Sequence, residues 1–206
     1  MKIVLAIEGM DGSGKSSLAR FIQSLCEQHQ CRCTAIGRRS CTISPAVVKL
    51  TEILREEVRN LTPQADIFVR LAREYQRAHL AASAPRGVVV LDRFVLTILS
   101  LIRIHGQDAE LLTPLLREIT MRANLHATIF VQCPFETATS RVKERRQRLP
   151  SGSKSEILLR RVAGYLEEEF HRGALTGQQW LVDNSKTLSD GEDQVAAYLL
   201  PYLVKD

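Results

Sequence analysis

Gly9-Met10-Asp11-Gly12-Ser13-Gly14-Lys15-Ser16 follows the spacing G-x-x-x-x-G-K-[ST], the pattern of a P-loop. An apolar run, Ile3-Val4-Leu5-Ala6-Ile7, precedes it, and an amphipathic stretch from Ser16 to about Gln28 follows. A loop so placed wraps a phosphate chain in backbone N–H groups. Glycines at 9, 12 and 14 let the chain turn tightly and approach an anion without side-chain clashes. The helix that begins near Lys15 points its unpaired N–H groups at the same anion. In this reading Lys15 reaches the β- and γ-phosphates, the Ser16 hydroxyl ligates Mg²⁺, and Ser13 and Ser17 belong to the same cradle. The plain alternative is a glycine-rich turn that binds nothing.

Outward from this loop, apolar or β-prone runs recur at 3–7, about 33–37, 87–91, 127–133 and 179–182. Helical periodicity fills the intervals at 16–29, 45–59, 64–83, 95–104, 108–122, 135–147, 155–171 and 188–203. Such alternation predicts an α/β fold, a five-stranded parallel sheet covered by helices on both faces. Pro45 and Pro63 suit helix starts, and Pro134 follows the fourth strand in the same way.

The length of 206 residues suits one domain spanning 1–206. Charged residues at 25% and hydrophobic ones at 45% are ordinary for a soluble globular protein. The net charge of +5 is mild, and without an aromatic-interleaved basic stripe nucleic acid is not the expected partner. No apolar run approaches the roughly 18 residues needed to span a bilayer, and no signal segment is evident, so a cytoplasmic location is expected. Five cysteines without C-x-x-C pairs argue against a disulfide framework. Cys31 and Cys33, near His29, read more simply as neighbours on one strand face than as metal ligands.

Two further features carry chemistry. Val88-Val89-Val90-Leu91-Asp92-Arg93 is a buried strand ending in an acid. Ligands in such sheets sit outside the carboxyl ends of the strands, so Asp92 is a candidate to orient a metal near the γ-phosphate. Its alternative role is to cap the next helix. Arg141, Lys143, Arg145, Arg146 and Arg148 then lead into the small, polar segment 149–155. A basic helix ending in such a loop, about 143–156, has the composition of a lid that closes over phosphates. It also has the composition of an ordinary exposed helix.

With these residues in hand, the chain resembles the thymidylate kinase family of nucleoside monophosphate kinases, as a divergent member. The family pattern E-G-x-[DE]-G-[SA]-G-K-[ST] matches Glu8 to Ser16, and D-R-[YFH] matches Asp92-Arg93-Phe94. The resemblance implies a P-loop kinase fold with a helical lid, and the use of ATP and Mg²⁺. It implies that Asp11 touches the acceptor region, that Arg38 or Arg39 and Arg93 hold the acceptor phosphate, and that Phe68 and Arg73 stack on and reach the base. Because Gly12 carries no charge, Arg145, Arg146 or Arg148 must assist transfer; Arg141 would pack on the donor adenine, and the turn at Asn184 would read it.

The sequence departs from the family after Asp92-Arg93-Phe94. Where the family usually has S-x-x-x-Y, with a polar residue after the Ser, Ile98 and Leu101 replace the polar residue and the Tyr. The T-R-E-P-G-G motif after strand two is reduced to Gly37-Arg38-Arg39-Ser40. An apolar residue makes no hydrogen bond to a base edge, so the acceptor stays open. The expected activity is transfer from ATP to a nucleoside monophosphate, first dTMP or a related pyrimidine deoxynucleotide, or another phosphorylated small molecule. Two alternatives are a kinase acting on a hydroxyl of a nucleoside or other metabolite, and a nucleotide-binding regulatory module. By resemblance, a homodimer is the assembly to consider.

Overall fold

The computed structural model describes residues 1–37, 62–147 and 156–204, with the side chains of 145–147 outside that description. The expected helix at 45–59 and the expected loop at 149–155 lie outside the described residues, as do Arg38, Arg39, Arg148 and the side chains of Arg145 and Arg146. Five strands form one sheet: β1 (Lys2–Glu8), β2 (Cys33–Ile36), β3 (Gly87–Asp92), β4 (Leu125–Gln132) and β5 (Gln178–Asp183). Their order is β2-β3-β1-β4-β5, with every pairing parallel. Seven helices occur among the described residues: α1 (Lys15–Gln28), α2 (Pro63–Ser83), α3 (Val95–Ile104), α4 (Ala109–Ala123), α5 (Phe135–Gln147), α6 (Glu156–Arg172) and α7 (Leu188–Leu203).

The central strands β1, β3 and β4 are apolar on both faces because both faces are covered. Val4 and Ala6 of β1, with Val89 and Leu91 of β3, pack toward α2, α3, α4 and α6. Ile3, Leu5 and Ile7, with Val88 and Val90, pack on the other side toward α1 and α7. This period-two division makes three layers and puts β1 at the centre of the sheet. All five strands therefore deliver their carboxyl ends to one edge, and the P-loop leaves the middle of it. Pro63 occupies the first turn of α2, and Thr62 caps that helix by accepting a hydrogen bond from the Ala65 N–H. No described helix is long and apolar enough to cross a membrane.

Candidate active site

The P-loop adopts the backbone its glycines allow. Gly12 and Gly14 have φ of +87° and +101°, in the left-handed half of conformational space, and a Cβ on Gly12 would lie 2.1 Å from the Ala138 carbonyl oxygen. Gly14 is the N-cap of α1, and no side chain caps that helix. The start of α1 thus has the uncapped form that suits an anion. Asp11, Gly12, Gly14, Lys15, Ser16 and Ser17 line a cavity of about 430 Å³, together with Arg20, Asp92 and Arg93. Ser16 and Asp92 share this cavity, and hydroxyl and carboxylate oxygens are hard donors that suit Mg²⁺.

Lys15 is buried, and its Nζ donates to the Met10 carbonyl. Burial, reinforced by the nearby Arg93 charge, pulls the Lys15 pKa down to about 7; Asp11, Glu8 and Asp92 oppose the shift. The ammonium is held inside its own loop in a state that a phosphate would stabilise. Two other expected cradle residues sit behind the loop. Ser13 is buried, its Oγ without a partner among the described residues, and Gly9 approaches the Val131 carbonyl.

A second cavity of about 230 Å³ adjoins the first, and Asp11 and Arg93 line both. Arg93 stands at the junction with φ of +58°, an uncommon backbone for a side-chain-bearing residue. Its N–H donates to the Ile7 carbonyl, and its guanidinium donates to the Gly9 carbonyl and to the Asp11 carboxylate. The second cavity runs along α3, past Thr97, Leu101 and His105. At 1.5 Å per residue, Thr97 and His105 are about 12 Å apart along the helix axis. Asp66 and Arg70 of α2 form another wall, paired at 2.6 Å, and Leu158, Leu159 and Val162 of α6 an apolar one.

The expected base-facing pair is not brought together here. On α2, residues 66, 70, 73 and 77 lie within about 60° of one another around the axis, whereas Phe68 lies about 140° from Arg73. Phe68 is 58% exposed, and Arg73 donates to Glu74 rather than lining either cavity. Leu101 faces the second cavity, while Ile98 packs in the core. Asn184 is buried and donates to the Ser13 carbonyl, bracing the P-loop from behind, and Arg141 donates to the Cys133 sulfur at 3.6 Å.

Asp66, Arg70, Glu8 and Thr97, without a role in the sequence reading, help build the site. Asp66 and Arg70 carry a signal in their i,i+4 spacing. Glu8, fully buried at the end of β1, accepts hydrogen bonds from the Phe94 N–H (2.7 Å), the Thr97 N–H (3.2 Å) and the Thr97 hydroxyl (2.6 Å). It thereby caps α3 across the sheet and fixes the floor of the second cavity. An acid closing an apolar run was the available hint.

A parallel sheet with a P-loop leaving its central strand, and a second cavity beside that loop, defines a P-loop kinase fold. The sequence model of the family described as thymidylate kinase matches residues 7–181. The chain belongs to the thymidylate kinase family, and the relatives it matches carry the name of a phosphotransferase. It is 32% identical over 93 residues to a thymidylate kinase of Xanthomonas campestris pv. campestris, a stretch covering 45% of this chain and 40% of that protein. It is 26% identical over 149 residues to a thymidylate kinase of Brachyspira hyodysenteriae, covering 69% of each chain. The match thus spans about two fifths of the Xanthomonas protein's length.

Proposed function

We propose that this chain transfers the γ-phosphoryl group of ATP to a nucleoside monophosphate, with a pyrimidine deoxynucleotide such as dTMP the first acceptor to test. The observation that carries the reading is the pair of adjoining cavities that share Asp11 and Arg93. One cavity has the amides, ammonium and hydroxyl that a triphosphate needs, and the other presents an elongated space with a guanidinium at its near end. An anion held by Arg93 would lie against the donor's terminal phosphate, so positioning supplies much of the catalysis.

In this mechanism Lys15 and the start of α1 hold the β- and γ-phosphates. Ser16 and Asp92 would hold Mg²⁺, which when bound neutralises charge on the phosphate oxygens. Arg93 aligns the acceptor phosphate, kept between the cavities by Asp11 until that phosphate arrives. The acceptor oxygen is already ionised near neutral pH, so no strong general base is needed. Arg70 and Asp66 offer the acceptor's other end donors and an acceptor oxygen, with Leu101 and the α6 leucines against its apolar surface. The lid segment at about 143–156, with Arg145, Arg146 and Arg148, completes the proposal as the source of positive charge that stabilises the transferring phosphoryl group. We assign the chain to the cytoplasm on the same reading.

The test is direct: purified protein, ATP, Mg²⁺ and a panel of nucleoside monophosphates and nucleosides, with nucleoside diphosphate formation followed by chromatography. Acceptor-dependent ADP production with monophosphates supports the proposal. Turnover with nucleosides alone assigns a hydroxyl acceptor, and ATP hydrolysis indifferent to any acceptor assigns a regulatory module.

A further inference from the structure

Arg77 is the largest fully buried side chain among the described residues, and the phosphoryl transfer proposed above does not use it. One of its terminal nitrogens donates to Glu74 Oε2 at 2.5 Å. The other donates to two main-chain carbonyls, those of Ile36 at 2.8 Å and Asp92 at 3.0 Å. Glu74, equally buried, accepts from Arg73 through its other oxygen at 3.0 and 3.1 Å. The guanidinium thus spans the exits of β2 and β3, immediately beneath the edge where both cavities open.

A buried ion pair is weak evidence for a purely stabilising role. Such a pair is costly to desolvate, and well-packed apolar side chains of similar volume often serve as well or better. The Arg77 Nε, moreover, has no partner among the described residues. What the guanidinium supplies is a fixed direction for two strand ends. The Asp92 carbonyl belongs to the peptide that joins Asp92 to Arg93, and Arg93 has φ of +58°. Such a backbone persists only where its surroundings over-determine it. Arg77 grips this peptide from one side, and the Ile7 carbonyl accepts the Arg93 N–H from the other.

We infer that Arg77, held by Glu74, is a positioning residue that fixes the Asp92–Arg93 peptide and so aims Arg93 at the junction of the two cavities. The inference rests on the proposed function for its kinetic consequences, but its structural content is testable without turnover.

Arg77→Met removes the charge and keeps much of the volume. In the folded variant, amide hydrogen exchange at residues 92–94 should accelerate at least tenfold while β1 and β4 keep their protection. With transfer measured, the KM for the monophosphate should rise at least tenfold, and by a larger factor than the KM for ATP. Arg77→Met combined with Arg93→Ala should cost no more acceptor affinity than Arg93→Ala alone, because the first acts through the second. Unchanged exchange at 92–94, or additive losses in the double variant, would overturn the inference. Should Arg77→Met not fold, Glu74→Gln and Arg77→Lys provide the same readouts: a smaller effect of the same pattern supports the inference and none refutes it. If the wild type transfers nothing, the functional reading fails, and the exchange experiment still decides this one.

Discussion

The two cavities are built by opposite means. The first draws six of its nine lining residues from one short stretch, Asp11 to Ser17, where the glycine backbone sets the shape. The second is assembled from side chains at 66 and 70, at 97, 101 and 105, and at 158, 159 and 162, carried by three helices distant in sequence. A backbone cradle tolerates little change, since replacing a glycine strains the main chain itself. A wall of side chains is free to change residue by residue while the fold persists. The contrast accords with a P-loop that matches its pattern position for position while Ile98 and Leu101 depart from the family's base-reading groups: phosphate is the same in every nucleotide, and acceptors differ.

Lys15→Ala is the strongest challenge to this contrast. Removing a preorganised charge from the donor cavity should lower kcat by about 10³-fold, the scale of losing one electrostatic stabiliser, and leave circular dichroism unchanged. Retained activity would remove the donor side from the argument. Gly12→Ala is next: φ of +87° and an Ala138 oxygen 2.1 Å from the new Cβ leave no room. Strain and overpacking should cost about 3 kcal/mol, read as a fall in Tm of roughly 6–12 °C, with transfer down at least roughly a hundredfold. Arg70→Ala tests the other side. It should raise the acceptor KM about tenfold, leave the KM for ATP unchanged and cost little stability, since the partly buried i,i+4 pair with Asp66 is worth about 1 kcal/mol. An effect on ATP instead would move Arg70 out of the acceptor wall.

The smallest effect is a proton count. Burial pulls the Lys15 pKa down to about 7, so its ammonium loses protons near neutral pH. Bound phosphates favour the charged form, so nucleotide binding should take up a fraction of a proton, more at pH 8 than at pH 7. Calorimetry in buffers of different ionisation enthalpy measures this uptake, and Lys15→Met should abolish it. The folded pKa lies below the unfolded value near 10.5, so the unfolded chain binds the proton more tightly between them. The stability of the free protein should therefore rise with pH from about 7 to 10 on this account, and flatten in the variant.

The same contrast governs what could be read from the sequence. Strand and helix positions followed from period and punctuation, because each is a local property; observed and expected bounds at β3 or α3 agree closely, with α3 at Val95–Ile104 as read. The P-loop was legible because its parts are contiguous. The wall of the second cavity was not, since which side of α2 faces it depends on how that helix sits on α3 and α4. Periodicity alone places Phe68 and Arg73 about 140° apart, yet it does not say which of them turns inward; the structure turns in Asp66 and Arg70. Asn184 was noticed for its turn, and its role as a brace for Ser13, 171 residues away, is a tertiary contact that no local pattern encodes.

That brace has a consequence for synthesis. The central strand is flanked by β3 and β4, which emerge from a ribosome only after residues 92 and 132, and the Ser13 carbonyl finds its donor only after residue 184. Contacts of such long sequence separation form late, since loop closure must precede them. A nascent chain would thus carry the whole P-loop pattern long before the contact that braces it can form, since 171 residues separate the two partners.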